Sequence, residues 1–146
     1  MTYLVIYDGD CNLCTGLVQL LEKLDQGRIF AYSPMQNAEV LAQFQLAIAD
    51  LALGVMLIDL NCPEMRWQGT SAIEEIAKLL PNGAPFVNLY RQIKPIKWLG
   101  DRTYEQIRDY RYALFGRRTQ TFVSEFAPIC TGDRCQQLTL HLSRSV

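Results

Sequence analysis

Two of the five cysteines, Cys11 and Cys14, stand three residues apart directly after a short apolar run, and their spacing is the first feature of the chain that carries chemistry. Positions i and i+3 share one face of a helix, close enough for two sulfurs to bond. At the start of a helix the leading cysteine lies beside unpaired backbone N–H groups and the positive end of the dipole, which favour a thiolate. Thiolate is the attacking species in disulfide exchange, so Cys11 reads as the nucleophile. Cys14, one turn inside and less exposed, reads as the resolving thiol. Asp8 and Asp10 flank the pair. A carboxylate aimed at Cys11 would raise its pKa, and one that caps the helix would compete with the sulfur for the same N–H groups. A protonated, buried Asp8 would carry a proton to or from Cys14. The plainer roles are a turn former for Asp8 and an N-cap for Asp10. The sequence leaves these alternatives open.

The other cysteines are Cys62, Cys130 and Cys135, and the one histidine is His141. A rival to redox chemistry is a zinc module in which Cys11, Cys14, Cys130 and Cys135 supply four thiolates. Against it, the second pair departs from the tight knuckle spacing and the first lies on a long apolar helix. Cys62, before Pro63, reads as structural or adventitious. A second rival is the aspartyl phosphotransfer suggested by Asp8-Gly9-Asp10 after a strand. No convincing downstream acidic pair for Mg²⁺ accompanies it. A third is a non-catalytic interaction module with relic cysteines.

With 14 basic and 15 acidic residues the chain is near neutral, which argues against nucleic acid as a partner. The most apolar stretch, about 40–60, is broken by Asp50 and Asp59 and falls short of a membrane span. No secretory signal pattern precedes the first strand, so the expected location is the cytosol, where paired cysteines more often mean redox chemistry or metal than a structural framework. No cofactor is expected. The expected partner is a protein carrying a thiol or disulfide, or a small thiol such as glutathione.

At 146 residues the chain fits one domain. Tyr3–Tyr7 is a continuous β-branched and aromatic run, as in a strand buried on both faces. From Cys11 the apolar residues Leu13, Leu17, Leu20, Leu21 and Leu24 mark one helical face, closed by Gln26-Gly27. A second strand follows at 28–32, stopped by Ser33-Pro34, and a second helix runs from Asn37 to about Leu46. The run 55–60 is a third strand, and 65–68 its hairpin partner. Thr70 or Ser71 caps a third helix, with Glu74 and Glu75 in its first turn. This order builds a four-stranded mixed sheet covered by helices on both faces, the thioredoxin-like arrangement. The core spans about 1–85, and about 86–146 is a helical appendage. The tyrosines and Trp98 of that appendage read as packing.

The run Val5-Ile6-Tyr7-Asp8-Gly9-Asp10-Cys11-Asn12-Leu13-Cys14 resembles the D-G-x-C-x-x-C signature of the DCC family of predicted thiol–disulfide oxidoreductases. Gly69-Thr70-Ser71-Ala72 is similar to that family's turn before the third helix, and the segment Arg108 to Arg118 to its R-Y-x-x-F-G-R-R motif. The resemblance implies a thioredoxin-like fold with Cys11 and Cys14 as the redox pair. Thioredoxins proper place a cis-proline before the third core strand; here that position falls near Leu53-Gly54-Val55 and holds no proline. Arg117 and Arg118 read either as a patch that contacts an anionic group of the substrate or as cations complementing a helix C-terminus.

Overall fold

The computed structural model of the chain describes residues 2–52, 54–81, 83–131 and 134–137; for Phe86, Leu89, 128–131 and 134–137 it gives the backbone alone. In chain order the elements are β1 (Tyr3–Tyr7), α1 (Asn12–Asp25), β2 (Phe30–Pro34), α2 (Ala38–Gln43), a 3-10 turn (Ile48–Leu51), β3 (Met56–Asp59), β4 (Arg66–Gln68), α3 (Thr70–Leu79), α4 (Ala84–Gln92), α5 (Lys94–Phe115), β5 (Pro128–Thr131) and β6 (Arg134–Gln137).

The main sheet has the order β2-β1-β3-β4, with β1 and β2 parallel and the other neighbours antiparallel. Alternation along β1 divides the interior. Val5 and Tyr7 join Val18 and Leu21 of α1, Phe30 and Tyr32 of β2, Leu57 of β3, and Ala72 and Ile76 of α3. Leu4 and Ile6 point the other way, onto Val40, Leu41 and Phe44 around α2 and onto Leu51 and Ile58. Leu4 to Tyr7 are at most 1% exposed, as the unbroken apolar run requires of a strand covered twice. The fold is thioredoxin-like, a mixed four-stranded sheet with helices on both faces and a helical C-terminal segment.

Several boundaries differ from the sequence reading, each for a physical reason. Pro34 does not stop β2 but pairs with Tyr7 at its end; β2 is an edge strand, where a missing N–H costs little. The second helix is shorter than expected, and its Asn37 cap accepts from the backbone of Glu39 and Val40. Neither Thr70 nor Ser71 caps α3: Gly69 occupies the cap position with no side-chain bond, its N–H committed to the Val55 carbonyl. Glu74 and Glu75 do not sit in the first turn of α3; they form ion pairs to Arg91 of α4, and Glu74 also binds Lys97 of α5. Leu20 and Leu24 are more than half exposed, and Val18 takes the core position instead.

One buried group that the pattern did not announce fixes the return from α1. Asp25 is 4% exposed, and its carboxylate accepts from the backbone N–H groups of Ile29 and Phe30 at 2.9–3.0 Å. Gln26 and Gly27, both at positive φ, turn the chain so that these donors face it.

Candidate functional site

The strand β1 delivers its last residues to the opening of α1. Cys11 occupies the N-cap position of that helix with extended backbone and no side-chain cap bond. Cys14 lies one turn in, with its sulfur close to that of Cys11. The expected meeting of two sulfurs across the first helical turn is therefore present, and both thiols are free. Burial foremost, then the charge and hydrogen bond of Cys11, push the Cys14 thiol up to about 12. Arg111 opposes this shift without cancelling it. Cys14 accordingly keeps its proton at neutral pH.

The order of exposure is the reverse of the one anticipated. Cys11 is 0% exposed, whereas Cys14 is partly exposed. The cause lies a hundred residues downstream. At the end of α5 the chain takes a positive φ at Gly116 and turns across the start of α1, where Arg117 forms an antiparallel bridge with Cys11. Asn12 Nδ2 donates to the Phe115 carbonyl at 2.8 Å, and Arg118 N–H donates to the Asp10 carbonyl at 2.6 Å. Further on, Phe122 N–H donates to the Gly9 carbonyl at 2.9 Å. Gly9 permits that approach: a Cβ there would stand 2.6 Å from Thr121 Cγ2 and 2.9 Å from Pro34 Cβ. Residues 116–122 thus form a strap over the leading cysteine.

Of the plainer roles read for the aspartates, the turn of Asp8 is present and the cap of Asp10 is not. Asp8 does form the turn, its Oδ1 accepting from the Asp10 N–H at 3.0 Å and from Gln36 Nε2 at 2.9 Å. Its Oδ2 accepts from Arg111 Nη2 at 3.0 Å and from the Tyr112 hydroxyl. At 5% exposure this carboxylate is buried, and Arg111 is its ion-pair partner. Asp10 does not cap α1; its Oδ1 accepts from Thr121 Oγ1 at 2.5 Å and so ties down the strap.

Arg111, Tyr112 and Gln36 were not singled out by sequence. A signal for Arg111 existed: a carboxylate at the end of a buried strand needs a cation, and the segment 108–118 holds four arginines. Tyr112, read as packing, instead donates to Asp8 and lies between two guanidinium groups, Arg117 at 4.2 Å and Arg111 at 5.0 Å from its ring centre. Arg117 is exposed, and Arg118 is partly exposed with its guanidinium 5.8 Å from the Phe122 ring. Neither ends α5 as an extra helical turn, since the helix stops at Phe115. Trp98 does not pack in the interior; it is 62% exposed.

On the far side of the pair from the strap, a cavity of about 250 Å³ opens between α1, α3 and α5. Cys14 lines it, with Leu13, Leu17, Ile73, Tyr104 and Ile107, and Arg108 and Arg111 also reach it. Leu13 and Leu17, assigned from their spacing to the apolar stripe of α1, face this cavity. Gly54, at φ +110, and Val55 form its rim where thioredoxins carry a cis-proline. The Tyr104 hydroxyl lies over that place, and a Cβ on Gly54 would collide with it.

Among the described residues no group of three or more His, Cys, Asp or Glu is placed to hold a metal ion. Cys130 and Cys135 face one another in the backbone register of β5 and β6, while their side chains, on which the zinc alternative rests, lie outside the described residues, as does His141. Cys62 is exposed in the β3–β4 turn. Among the described residues no helix is long and apolar enough to cross a membrane.

Comparison with known proteins agrees with this geometry. The sequence model of the family described as DCC1-like thiol-disulfide oxidoreductase matches residues 5–117, from β1 to the strap. A chloroplastic DCC family protein of Arabidopsis thaliana is 26% identical over 117 residues, which cover 78% of this chain and 65% of that protein. YuxK, an uncharacterized protein of Bacillus subtilis, is 23% identical over 116 residues, covering 80% of this chain and 82% of its own length. No solved structure matches significantly. With the family match running unbroken from the first strand to Arg117, the chain belongs to the DCC1-like thiol-disulfide oxidoreductase family.

Proposed function

We propose that the protein exchanges disulfides with a thiol- or disulfide-bearing partner through Cys11 and Cys14, with Cys11 attacking and Cys14 resolving. The observation that carries this reading is the placement of two free cysteines at the opening of α1, Cys11 at the N-cap and Cys14 one turn in. That arrangement sets Cys11, at the N-terminal end of the helix, as the attacking sulfur. Attack on a partner's disulfide forms a bond from Cys11 to one partner sulfur and releases the other. Cys14 then gives up its proton, attacks Cys11 and releases the partner as a dithiol, leaving a Cys11–Cys14 disulfide. For a protein partner the strap at 116–118 has to lift, and three backbone or amide hydrogen bonds hold it there. Arg117 and Arg118, on that strap, are placed to meet an anionic group of the partner.

The test is reduction of insulin with dithiothreitol as electron source. The wild-type chain is expected to accelerate it; Cys14→Ser is expected to accumulate mixed disulfides through Cys11, and Cys11→Ser none. The burial of Cys11 favours one second reading, a thioredoxin-like interaction module that performs no exchange. Insulin reduction no faster than the dithiothreitol background, by the wild-type chain and by a strap-loosened Asn12→Ala variant alike, selects that reading.

A further inference from the structure

The two sulfurs face different surroundings, and that asymmetry has chemical content. Cys11 lies under the strap with no exposed area, whereas Cys14 lines the 250 Å³ cavity between α1, α3 and α5. This cavity is smaller than the roughly 300–1,000 Å³ typical of pockets for drug-sized ligands, and its walls are mostly aliphatic and aromatic. A hydrophilic peptide thiol placed there would leave polar groups without partners. An extended protein chain is also disfavoured, because the Val55 carbonyl already accepts from the Gly69 N–H and the Tyr104 hydroxyl crowds Gly54 beside it. Arg108 and Arg111 line the same space. Arg111 is committed to Asp8, with its Nε buried and lacking a hydrogen-bond partner, and Arg108 has its Nε on Asp109 at 2.9 Å. A fork of N–H donors beside an apolar chamber suits a carboxylate at the end of a hydrocarbon stem.

We propose that this cavity is the electron-donor site, taking a small dithiol with an apolar chain and a terminal carboxylate, which reduces the oxidised Cys11–Cys14 pair by attack on Cys14. The proposal rests on the exchange reading above. In the first step a donor thiolate bonds to the Cys14 sulfur, the Cys11–Cys14 bond breaks, and Cys11 leaves as a thiolate. In the second, the donor's other thiol, its proton lost to solvent, attacks the donor sulfur held on Cys14. The donor departs as a cyclic disulfide, and Cys14 takes up a proton. Two electrons pass from donor to protein. The direction of cleavage suits the site: Cys14 faces the cavity and meets the donor, whereas Cys11 lies covered at the helix N-terminus. The chain thereby receives electrons through one face of the pair and delivers them through the other.

The probe is dihydrolipoate, an eight-carbon dithiol acid, compared with its neutral amide, dihydrolipoamide, and with dithiothreitol, each reducing the oxidised full-length protein. Saturable reduction by dihydrolipoate is expected, with kcat/KM at least tenfold above the amide. Octanoate, which has the stem and carboxylate without sulfur, is expected to raise KM for dihydrolipoate without changing kcat. Arg108→Gln is expected to bring acid and amide within twofold of each other. Equal, non-saturating rates for acid and amide with no effect of octanoate, in a protein whose pair dithiothreitol still reduces, overturn the donor site and leave the exchange reading standing. An oxidised pair that none of the three reduces overturns both.

Discussion

Arg111 holds together more of the site than any other single side chain. Its guanidinium pairs with the buried Asp8 carboxylate at 3.0 Å, lies over Tyr112, and lowers the cost of charge near Cys14. Removing one partner of a pair this buried costs about 3 kcal/mol, because the remaining charge stays out of water. Arg111→Met is therefore expected to lower unfolding stability by about that amount in chemical denaturation, with a smaller loss for Arg111→Lys. The raised Cys14 thiol supplies a second test. With its pKa near 12, its thiolate fraction at pH 8 is about 10⁻⁴, so iodoacetamide should modify Cys14 at least about a hundredfold more slowly than the exposed Cys62. Folding favours the protonated Cys14, so this residue's contribution is complete below its ordinary value of 9.0 and is lost as pH rises toward 12. The cysteine pair and Asp8 were legible in the sequence because spacing and position after a strand determine their surroundings. Arg111 and Tyr112 were not, because nothing local links residues separated by more than a hundred positions.

At the scale of elements, α5 is the organiser. It is 22 residues long, buries none of them fully, and is anchored through charge more than through hydrocarbon. Glu74 of α3 receives Arg91 Nε at 2.6 Å and Lys97 Nζ at 2.8 Å, which joins α3, α4 and α5 at one carboxylate. Burial by itself would raise the Glu74 pKa; the hydrogen bonds from Lys97 and Arg91 outweigh it and hold the carboxyl below its usual range. This contribution is present above the ordinary glutamate value of 4.5 and disappears as pH falls through the lowered one. Glu74→Gln should cost about 1–2 kcal/mol at pH 7, discounted for the partial exposure of both cations, and less at pH 3. Thermal melts at the two pH values measure the difference. The sheet, α1 and α3 could be read from apolar periodicity, since β1 and α1 carry it plainly. The placement of α4 and α5 could not, because ion pairs between helices leave no periodic trace in the chain.

At the scale of the molecule, the strap and the sheet meet at Gly9. There the 116–122 segment runs so close to β1 that only a hydrogen fits at that Cα. Gly9→Ala is expected to destabilise by about 1–3 kcal/mol through overpacking, and to expose Cys11. Mass spectrometry after brief alkylation should find Cys11 labelled in the variant and protected in the wild type. The strap was foreseen only as a similarity around Phe115-Gly116-Arg117-Arg118; that it crosses the helix opening is a property of the tertiary fold and of no local pattern.

Asp8 and its guanidinium lie 103 positions apart, and Asp10 and Thr121 lie 111 apart. A ribosome making this chain therefore exposes both cysteines long before it releases the arginine and the covering segment. During that interval the thiols meet oxidants without shelter. A chain whose pair were oxidised in that interval would have to fold α5 and the strap onto an already bonded pair.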